Sequence, residues 1–236
     1  MTESHNISPV AIVTGGARGF GRAVSAALLD RGWTVVVDAR RIADLDATAA
    51  VLDSPRLICI AGDATDTAHR AALVDAAIKA GPLRLLVNNA SRLGPSPQPT
   101  LADYPFDELR AVYEVNVFAP LALMQATMPA LVAADGVVVN ISSDAAVEAY
   151  AGWGGYGSSK AALDQISAVA AVETPTVRVY SFDPGDMRTE MHQAAFPDED
   201  ISDRPEPESV VPAFLRLLDT RPAAGRYRAS EMAAVG

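Results

Sequence analysis

The feature that most constrains the fold is a short apolar run that leads directly into a glycine-rich segment and then into a helical pattern. Residues Val10–Val13 are apolar and lie between turn-forming residues, which is typical of a buried parallel strand. The glycine-rich segment is Thr-Gly-Gly-Ala-Arg-Gly-Phe-Gly at residues 14–21, and the helical pattern after it ends near Arg31. A strand, a glycine loop and a helix in this order predict a helix N-terminus whose free amides bind a pyrophosphate group.

The rest of the chain alternates between short apolar runs and amphipathic helical stretches. The further predicted strands are Thr34–Val37, Leu57–Ile60, Leu83–Val87, Val137–Ile141, Val177–Phe182 and Gly225–Ala229. The further predicted helices are Arg41–Leu52, Ala68–Lys79, Phe106–Ala134 and Tyr156–Val172. This alternation is typical of right-handed βαβ crossovers. We therefore expect an α/β fold, a Rossmann-type doubly wound parallel sheet of about seven strands with helices on both faces, in a single domain over residues 9–236.

Two segments fall outside this alternation. Residues 1–8 predict a flexible N-terminal tail. Residues 186–212 are expected to form a substrate loop, and Phe196–Pro212 within it is rich in proline and acidic residues. That stretch is therefore either a mobile flap or an irregular surface excursion.

Composition disfavours several classes of protein. Half of the 236 residues are hydrophobic and 20% are charged, which suits one sizeable core. We find no apolar run near the ~20 residues of a membrane span and no signal-peptide pattern at the N-terminus. The net charge of −10 argues against nucleic acid and anionic membrane surfaces as partners. Cys59, the only cysteine, lies in a predicted buried strand, and no cysteine or histidine cluster has metal-site spacing, so we expect a cytoplasmic protein without a metal.

A tyrosine and a lysine four residues apart supply the candidate chemistry. Tyr156 and Lys160 lie on one face of a predicted helix, and Ser143 precedes Tyr156 by thirteen residues. An ammonium beside a phenol favours the phenolate, so we expect the pKa of Tyr156 to fall from about 10 toward neutrality. Such a phenol, with a hydroxyl next to it, can interconvert an alcohol and a carbonyl. A packed tyrosine and a solvated lysine would give the same spacing, and the glycine loop is what favours the catalytic interpretation.

Seven motifs along the chain carry a resemblance to a known family. They are T-G-G-A-R-G-F-G at 14–21, G-D-A-T-D at 62–66, N-N-A-S at 88–91, V-N-V at 115–117, N-I-S-S at 140–143, Y-G-S-S-K at 156–160 and D-P-G-D-M-R-T at 183–189. With these motifs in this order, the chain resembles compact single-domain members of the short-chain dehydrogenase/reductase family over nearly its whole length. The resemblance implies hydride transfer between a nicotinamide dinucleotide and a carbonyl or alcohol, and it says little about the substrate.

The resemblance also implies a role for each matching residue. Tyr156 would donate or accept the proton, and Lys160 would lower its pKa and hold the nicotinamide ribose. Ser143, preferred over Ser142, would bond to the substrate oxygen, and Asn116 would shape a helix break that holds a relay water. The implied cofactor-binding set, besides Tyr156 and Lys160, is Gly15, Arg18, Gly19, Phe20, Gly21, Arg40, Asp63, Ala64, Asn89, Ala90, Pro184, Gly185 and Thr189.

The segment after the second predicted strand bears on the choice between NADP and NAD. An acidic residue at the strand tip would bind the ribose hydroxyls of NAD, and an arginine just beyond it would bind the 2′-phosphate of NADP. The family's acidic position falls on Ala39, so Asp38 is one residue early and points to the other face of the strand. Arg40, with Arg18 of the glycine loop, would suit the phosphate. We therefore expect NADP, and NAD remains possible because a register error of one residue would place Asp38 at the ribose.

The substrate pocket is the least predictable part of the chain. By position, the pocket would be largely apolar with an aromatic wall, and it would include Leu93, Tyr150, Trp153, Met187, Met191 and His192. Ser91 stands where the family usually has glycine, which adds a hydroxyl near the cofactor. We expect an NADP(H)-dependent carbonyl reductase or alcohol dehydrogenase. The alternative is a non-catalytic dinucleotide-binding redox sensor or regulator on the same fold.

The partners implied are a small-molecule carbonyl or alcohol and a second copy of the chain. The predicted helices Phe106–Ala134 and Tyr156–Val172 are rich in Ala, Val and Leu around much of their circumference, more than one buried face requires. We therefore expect a homodimer or a homotetramer.

Overall fold

Seven parallel strands form one sheet in the computed structural model of the chain, which describes residues 8–232. The strands are β1 (Val10–Val13), β2 (Thr34–Ala39), β3 (Leu57–Ala61), β4 (Leu83–Asn88), β5 (Val137–Ile141), β6 (Arg178–Asp183) and β7 (Gly225–Arg228). Their order across the sheet is β3-β2-β1-β4-β5-β6-β7. Each neighbouring pair is parallel, from β2 and β3 at one edge to β6 and β7 at the other. The expected doubly wound fold in one domain is therefore confirmed, and the predicted tail falls almost wholly on residues 1–7, outside the described part.

Helices cover both faces of the sheet. They are α1 (Gly19–Asp30), α2 (Ile42–Leu52), α3 (Thr67–Ala80), α4 (Phe106–Tyr113), α5 (Ala119–Ala133), α6 (Gly154–Glu173), α7 (Glu190–Ala195), α8 (Pro207–Thr220) and α9 (Ala229–Met232). A π-helical turn, Glu114–Phe118, joins α4 to α5, and single 3-10 turns lie at Leu101–Asp103 and Asp144–Ala146.

Two hydrophobic cores result from the alternation of side chains along the strands. Ala11 and Val13 of β1 face a core to which α1, α2 and α8 contribute, whereas Val10 and Ile12 face a core built with α3, α5 and α6. All four side chains are fully buried. Burial on both faces explains why these strands are continuous apolar runs rather than alternating ones.

The segment expected to be an irregular loop is partly helical. From Pro207 onward the chain forms α8, which buries Val210, Val211 and Phe214 against the first core. Pro207 occupies the first turn, where a missing amide hydrogen costs nothing, but Pro212 lies inside the helix. Burial of the apolar face outweighs the lost hydrogen bond, so the prediction of an irregular segment was wrong for residues 207–212.

Two expectations about apolar segments were also wrong. Cys59 is exposed rather than buried, because β3 is the edge strand of the sheet. The helical segment Phe106–Ala133 has the length and apolar character of a membrane span, with a mean hydropathy of 1.5 in its most apolar window. It nevertheless buries Leu123, Met124 and Leu131 in the second core, as the central helix of a globular domain does.

Parallel strands bring their carboxyl ends to one edge of the sheet, and the candidate functional residues lie there. The order of the strands reverses between β1 and β4, with β2 and β3 on one side and β5 to β7 on the other. In open sheets of this kind, ligands bind in the crevice at that reversal. Thr14, Asn88 and Asp183 all lie at or directly beyond carboxyl ends of strands on this edge.

Candidate active site

The glycine loop has the geometry of a phosphate cradle. Gly15 and Gly19 have φ angles of 63° and 51°, which favour glycine because other residues are strained there. A Cβ on Gly21 would lie 2.4 Å from the Asn89 side-chain nitrogen, which donates to the carbonyls of Thr14 and Gly15 at 2.9 and 3.2 Å. Helix α1 begins here without a side-chain cap and without an acidic residue in its first turn. Its amides are therefore available to an anion, which fits the pyrophosphate of a dinucleotide.

The remaining residues of the implied cofactor set surround this loop. Ala90 donates its amide to the Thr14 hydroxyl at 3.0 Å, which joins β4 to the loop. Thr189 caps α7 and would lie 3.4 Å from a Cβ on Gly19, so the segment that contains Pro184 and Gly185 leads back over the loop. The ring of Phe20 stacks on Phe182 in the core at 6.1 Å, so only the backbone of Phe20 is placed to meet a cofactor.

Asp38 is fully committed to protein contacts. Its carboxylate accepts the Gly15 amide at 2.6 Å and lies 3.0 Å from Nε2 of His69 on α3. The side chains of Asp38 and His69 are 3% and 6% exposed. Ala39 packs on the opposite face, toward the first core. The carboxylate therefore lies between the glycine loop and α3, on the face of β2 opposite to Ala39, as the strand pleat predicts.

Basic side chains gather where β2 ends. Arg40 is exposed directly after β2, and its charge acts on Asp63. Burial favours a higher pKa for Asp63, but the hydrogen bonds from Thr65 and the charge of Arg40 together hold it below the ordinary value. Ala64 uses its carbonyl to accept from Arg70 at 2.8 Å. Arg18 pairs with Glu190 on α7, and both side chains are largely exposed. Arg40 is therefore open to an anion, whereas Arg18 is held by a carboxylate.

The four expected catalytic residues come together at the carboxyl ends of β4 and β5. Asn116 is completely buried in the π-helical turn, where its side chain donates to the Arg92 carbonyl and the Ser159 hydroxyl, both at 2.9 Å. Lys160 Nζ donates to the Ile141 carbonyl at 2.8 Å and lies 5.5 Å from the ring centroid of Tyr156. Tyr156 is 9% exposed and packs against Trp153 with ring centroids 5.8 Å apart.

The hydroxyls of Ser143 and Ser91 both lie within hydrogen-bonding reach of the Tyr156 phenol. Both hydroxyls favour ionisation of the phenol, and the Ser143 hydroxyl also donates to Asp144 at 2.9 Å. The Ser91 hydroxyl donates to the Asn116 carbonyl oxygen at 3.1 Å. Ser142, the neighbouring candidate, is buried with its hydroxyl unpartnered in the described part of the chain.

The pKa values of the central pair differ from the expectation drawn from the sequence. Burial raises the pKa of Tyr156 to about 12, against the lowering effect of the Ser91 and Ser143 hydroxyls, and the charges of Asp183 and Asp144 add to the rise. Burial lowers the pKa of Lys160 to about 8, partly opposed by Asp164. The expectation that Lys160 brings the Tyr156 pKa toward neutrality is therefore wrong for the free protein. Desolvation of the phenolate dominates there.

Most of the predicted substrate pocket is assembled as one apolar cluster. Leu93 and Tyr156 are buried together, and Trp153 and Met191 pack against them. Met187 is an exception, because it packs against the first core on the other side of the segment.

The polar candidates of the pocket differ in their surroundings. Tyr150 is 43% exposed and donates to Glu148 at 2.7 Å. His192 is 9% exposed on its side chain, lies 3.7 Å from Asp186 through Nδ1, and contacts Phe196 at 4.9 Å between ring centroids. Its Nε2 is buried without a hydrogen-bond partner among residues 8–232.

Comparison with known proteins assigns the family. The profile described as short chain dehydrogenase matches residues 9–200. The chain belongs to the short-chain dehydrogenase family. Mouse sepiapterin reductase (Mus musculus) is 34% identical over 201 residues, which cover 79% of this chain and 77% of that protein. Bovine L-xylulose reductase (Bos taurus) is 33% identical over 225 residues, 89% of each chain.

Solved structures agree with the fold of this short-chain dehydrogenase. A chain described as a short-chain dehydrogenase from Escherichia coli CFT073, complexed with NADPH, has a TM-score of 0.87 at 28% identity. The match covers 94% of this chain and 96% of that one. The similarity therefore extends through the sheet and both helical layers, including the segment after residue 200.

Three residues of this short-chain dehydrogenase matter to the site and were not assigned a role from the sequence. His69 holds Asp38, Glu190 holds Arg18, and Asp144 accepts from Ser143. Only Asp144 had a signal, because it directly follows the predicted serine. His69 and Glu190 reach partners 31 and 172 residues away, and such contacts follow from the fold rather than from local spacing.

Proposed function

We propose that this short-chain dehydrogenase transfers a hydride between NADP(H) and a carbonyl or secondary alcohol, with Tyr156 as the general acid and base. The observation that carries the proposal is the buried phenol of Tyr156 beside Ser143 and Ser91, with Lys160 on the next turn of α6. The apolar cluster around Trp153 packs against that phenol, and the glycine loop lies at the same carboxyl edge of the sheet. A bound nicotinamide would supply or accept the hydride.

The side chains of this protein supply the proton that the substrate oxygen receives during reduction. A pKa of about 12 keeps Tyr156 protonated at neutral pH, so the phenol has a proton to give to the oxygen of a carbonyl as that oxygen becomes negative. Ser143 lies next to the phenol and can bond to the same oxygen. Lys160, Gly15 and Gly19 would hold the cofactor, and the apolar cluster would exclude water from the reacting atoms.

Removal of the phenolic hydroxyl tests this assignment. In Tyr156→Phe the ring and its packing on Trp153 remain, so binding of NADPH should persist while kcat falls by on the order of 10²-fold or more. Turnover is measured by loss of NADPH absorbance over a panel of ketones and aldehydes, and NADPH binding by fluorescence. Near-normal kcat in this variant would overturn the role of Tyr156, and a wild type without turnover on any carbonyl would favour a redox sensor.

The preference for NADP rests on how the charges at the end of β2 are used. Asp38 has its carboxylate engaged by Gly15 and His69, so it is not available to the ribose hydroxyls of NAD. Arg40 is exposed at the adjacent tip and suits a 2′-phosphate. The Escherichia coli chain complexed with NADPH supports the same choice by similarity.

Arg40 and its neighbour Arg41 form a matched pair for testing that preference. Arg40→Gln should raise KM for NADPH about ten- to a hundredfold and leave KM for NADH nearly unchanged. Arg41→Gln is the control, because Arg41 is already bound to Asp44 at 2.8 Å. Equal changes for both cofactors, or a wild type that prefers NADH, would contradict the assignment.

A further inference from the structure

A buried carboxylate and a buried imidazole lie together beneath the glycine loop. Asp38 Oδ1 accepts the Gly15 amide at 2.6 Å, and Oδ2 lies 3.0 Å from His69 Nε2. Both side chains are more than nine-tenths buried, at 3% and 6% exposure. A carboxylate in such a place is costly unless hydrogen bonds satisfy both oxygens, and these two contacts do so. The proton transfer proposed above uses neither side chain, and the choice of cofactor uses only the fact that Asp38 is engaged.

The local structure around His69 makes room for the imidazole. His69 lies in the first turn of α3, which is fixed by Asp66 as its N-cap through a bond of 2.7 Å to the Ala68 amide. Gly62, which follows β3, donates its amide to Ala39 at 3.0 Å. A Cβ on Gly62 would lie 2.2 Å from His69 Nδ1, so a glycine is required for the imidazole to reach Asp38. Three segments of the chain thus meet at this one contact.

The position of the Asp38 carboxylate affects the charge at the tip of β2. Asp38 precedes Ala39 and Arg40, so its carboxylate is two residues from the arginine that would receive a 2′-phosphate. A carboxylate that turned toward the tip would accept hydrogen bonds from ribose hydroxyls and repel a phosphate. The Gly15 amide holds Oδ1 at the glycine loop, and the contact with His69 holds Oδ2 toward α3.

We propose that His69 determines the cofactor preference of this enzyme indirectly, by holding Asp38 away from the adenosine ribose. His69 is a positioning residue in this proposal, because it acts through Asp38 and touches no part of the cofactor. The inference rests on the proposed function, since it presumes that a phosphorylated ribose lies at the end of β2. A purely stabilising pair would not distinguish one cofactor from the other.

The test measures binding of the two adenosine halves without catalysis. Adenosine 2′,5′-bisphosphate stands for NADP and adenosine 5′-monophosphate for NAD, and the dissociation constants are measured by calorimetry. In His69→Ala, Asp38 Oδ1 keeps the Gly15 amide but Oδ2 loses its partner, and water can enter to solvate the carboxylate. We expect the preference for the bisphosphate to fall about tenfold, through weaker bisphosphate binding and equal or tighter monophosphate binding.

Two further variants separate charge from packing. His69→Gln keeps an amide donor within reach of Asp38, so the wild-type preference should be retained. The double variant His69→Ala with Asp38→Asn removes the charge, so the preference should return despite the same cavity. Loss of preference in the double variant as large as in His69→Ala would overturn the proposal. If His69→Ala does not fold, His69→Asn carries the same expectation, because its shorter amide leaves Asp38 without that partner.

The wild type distinguishes failure of this inference from failure of the proposed cofactor. A wild-type protein that binds the monophosphate more tightly would refute NADP preference itself, whatever His69 does. A wild-type preference for the bisphosphate that His69→Ala leaves unchanged, or an equal loss of affinity for both probes, would overturn the role of His69 alone.

Discussion

Substitution of Lys160 by methionine should make the protein more stable at neutral pH. Lys160 is 2% exposed, and burial lowers its pKa from 10.5 to about 8. At roughly 1.4 kcal/mol for each pH unit between those two values, the folded protein carries a penalty of about 3 kcal/mol for the buried ammonium. Methionine removes that penalty and also the bond to the Ile141 carbonyl, which contributes about 1 kcal/mol. The net expectation is a gain of about 2 kcal/mol in the free energy of unfolding at pH 7.5.

The sign of the pH dependence follows from proton linkage. Below about pH 8 the lysine is protonated in both the folded and the unfolded states, and the full penalty is present. Between pH 8 and 10.5 the unfolded chain holds a proton that the folded protein lacks, so stability of the wild type rises with pH. The advantage of Lys160→Met should therefore shrink to about zero by pH 9.5.

Urea denaturation of the free protein at pH 7.5 and 9.5 measures both values. Lys79→Met is the control, because Lys79 is the chain's other lysine and is exposed on α3. Its difference from the wild type should be nearly the same at the two pH values. A Lys160→Met variant less stable than the wild type at pH 7.5, with a difference that does not change with pH, would refute the desolvation argument.

Three further predictions concern the site and the assembly. Ser91→Gly removes a hydroxyl that lowers the pKa of Tyr156. Alcohol oxidation needs the phenolate, so the midpoint of its pH profile should move up by about half to one pH unit, and an unchanged midpoint would contradict this. Glu190→Gln removes the ion-pair partner of Arg18, so the dissociation constant of NADPH, measured by fluorescence titration, should fall about three- to fivefold while that of NADH stays constant. A parallel change in both constants would contradict a specific role of Arg18 at the 2′-phosphate. Large apolar side chains are exposed on α4, on the π-helical turn and on α6: Phe106 (74%), Phe118 (51%), Val169 (43%) and Val172 (81%). Light scattering behind a sizing column should therefore give at least twice the 24.7 kDa chain mass. A single species at 24.7 kDa would refute the interface.

Local patterns in the sequence were sufficient to predict the sheet. The runs Val10–Val13 and Val137–Ile141 coincide with β1 and β5, because strands buried on both faces are apolar at nearly every position. Asn140 of β5 is the one polar exception in these two strands, and its side chain is hydrogen-bonded to Asn88 and Ser167. Helix α8 was missed because Pro207 and Pro212 resemble loop signals, and only the packing of its apolar face identifies the segment as a helix. The burial of that face in the tertiary structure is therefore what stabilises this segment as a helix.

In the candidate site, too, local spacing predicted which residues share an element, but not the properties that depend on tertiary contacts. The spacing of Tyr156 and Lys160 predicted that both would lie on one helix, and the structure places them on α6. Their pKa values depend on desolvation and on Asp183, Asp144 and Asp164, which no local spacing reveals. The partner of Asp38 was likewise beyond prediction, because His69 reaches it from a separate helix.

The exposure of Cys59 gives the protein a single native attachment point on its edge strand. The residue is exposed, but partial burial of its sulfur and the charge of Asp46 raise the pKa of this thiol, so the reactive thiolate is scarce at neutral pH and reaction with maleimides will be slow. A fluorophore or spin label can therefore be placed on β3 without any substitution, provided that the labelling reaction is run at mildly alkaline pH. The same thiol can cross-link two chains on oxidation, so any mass measurement in solution requires a reductant.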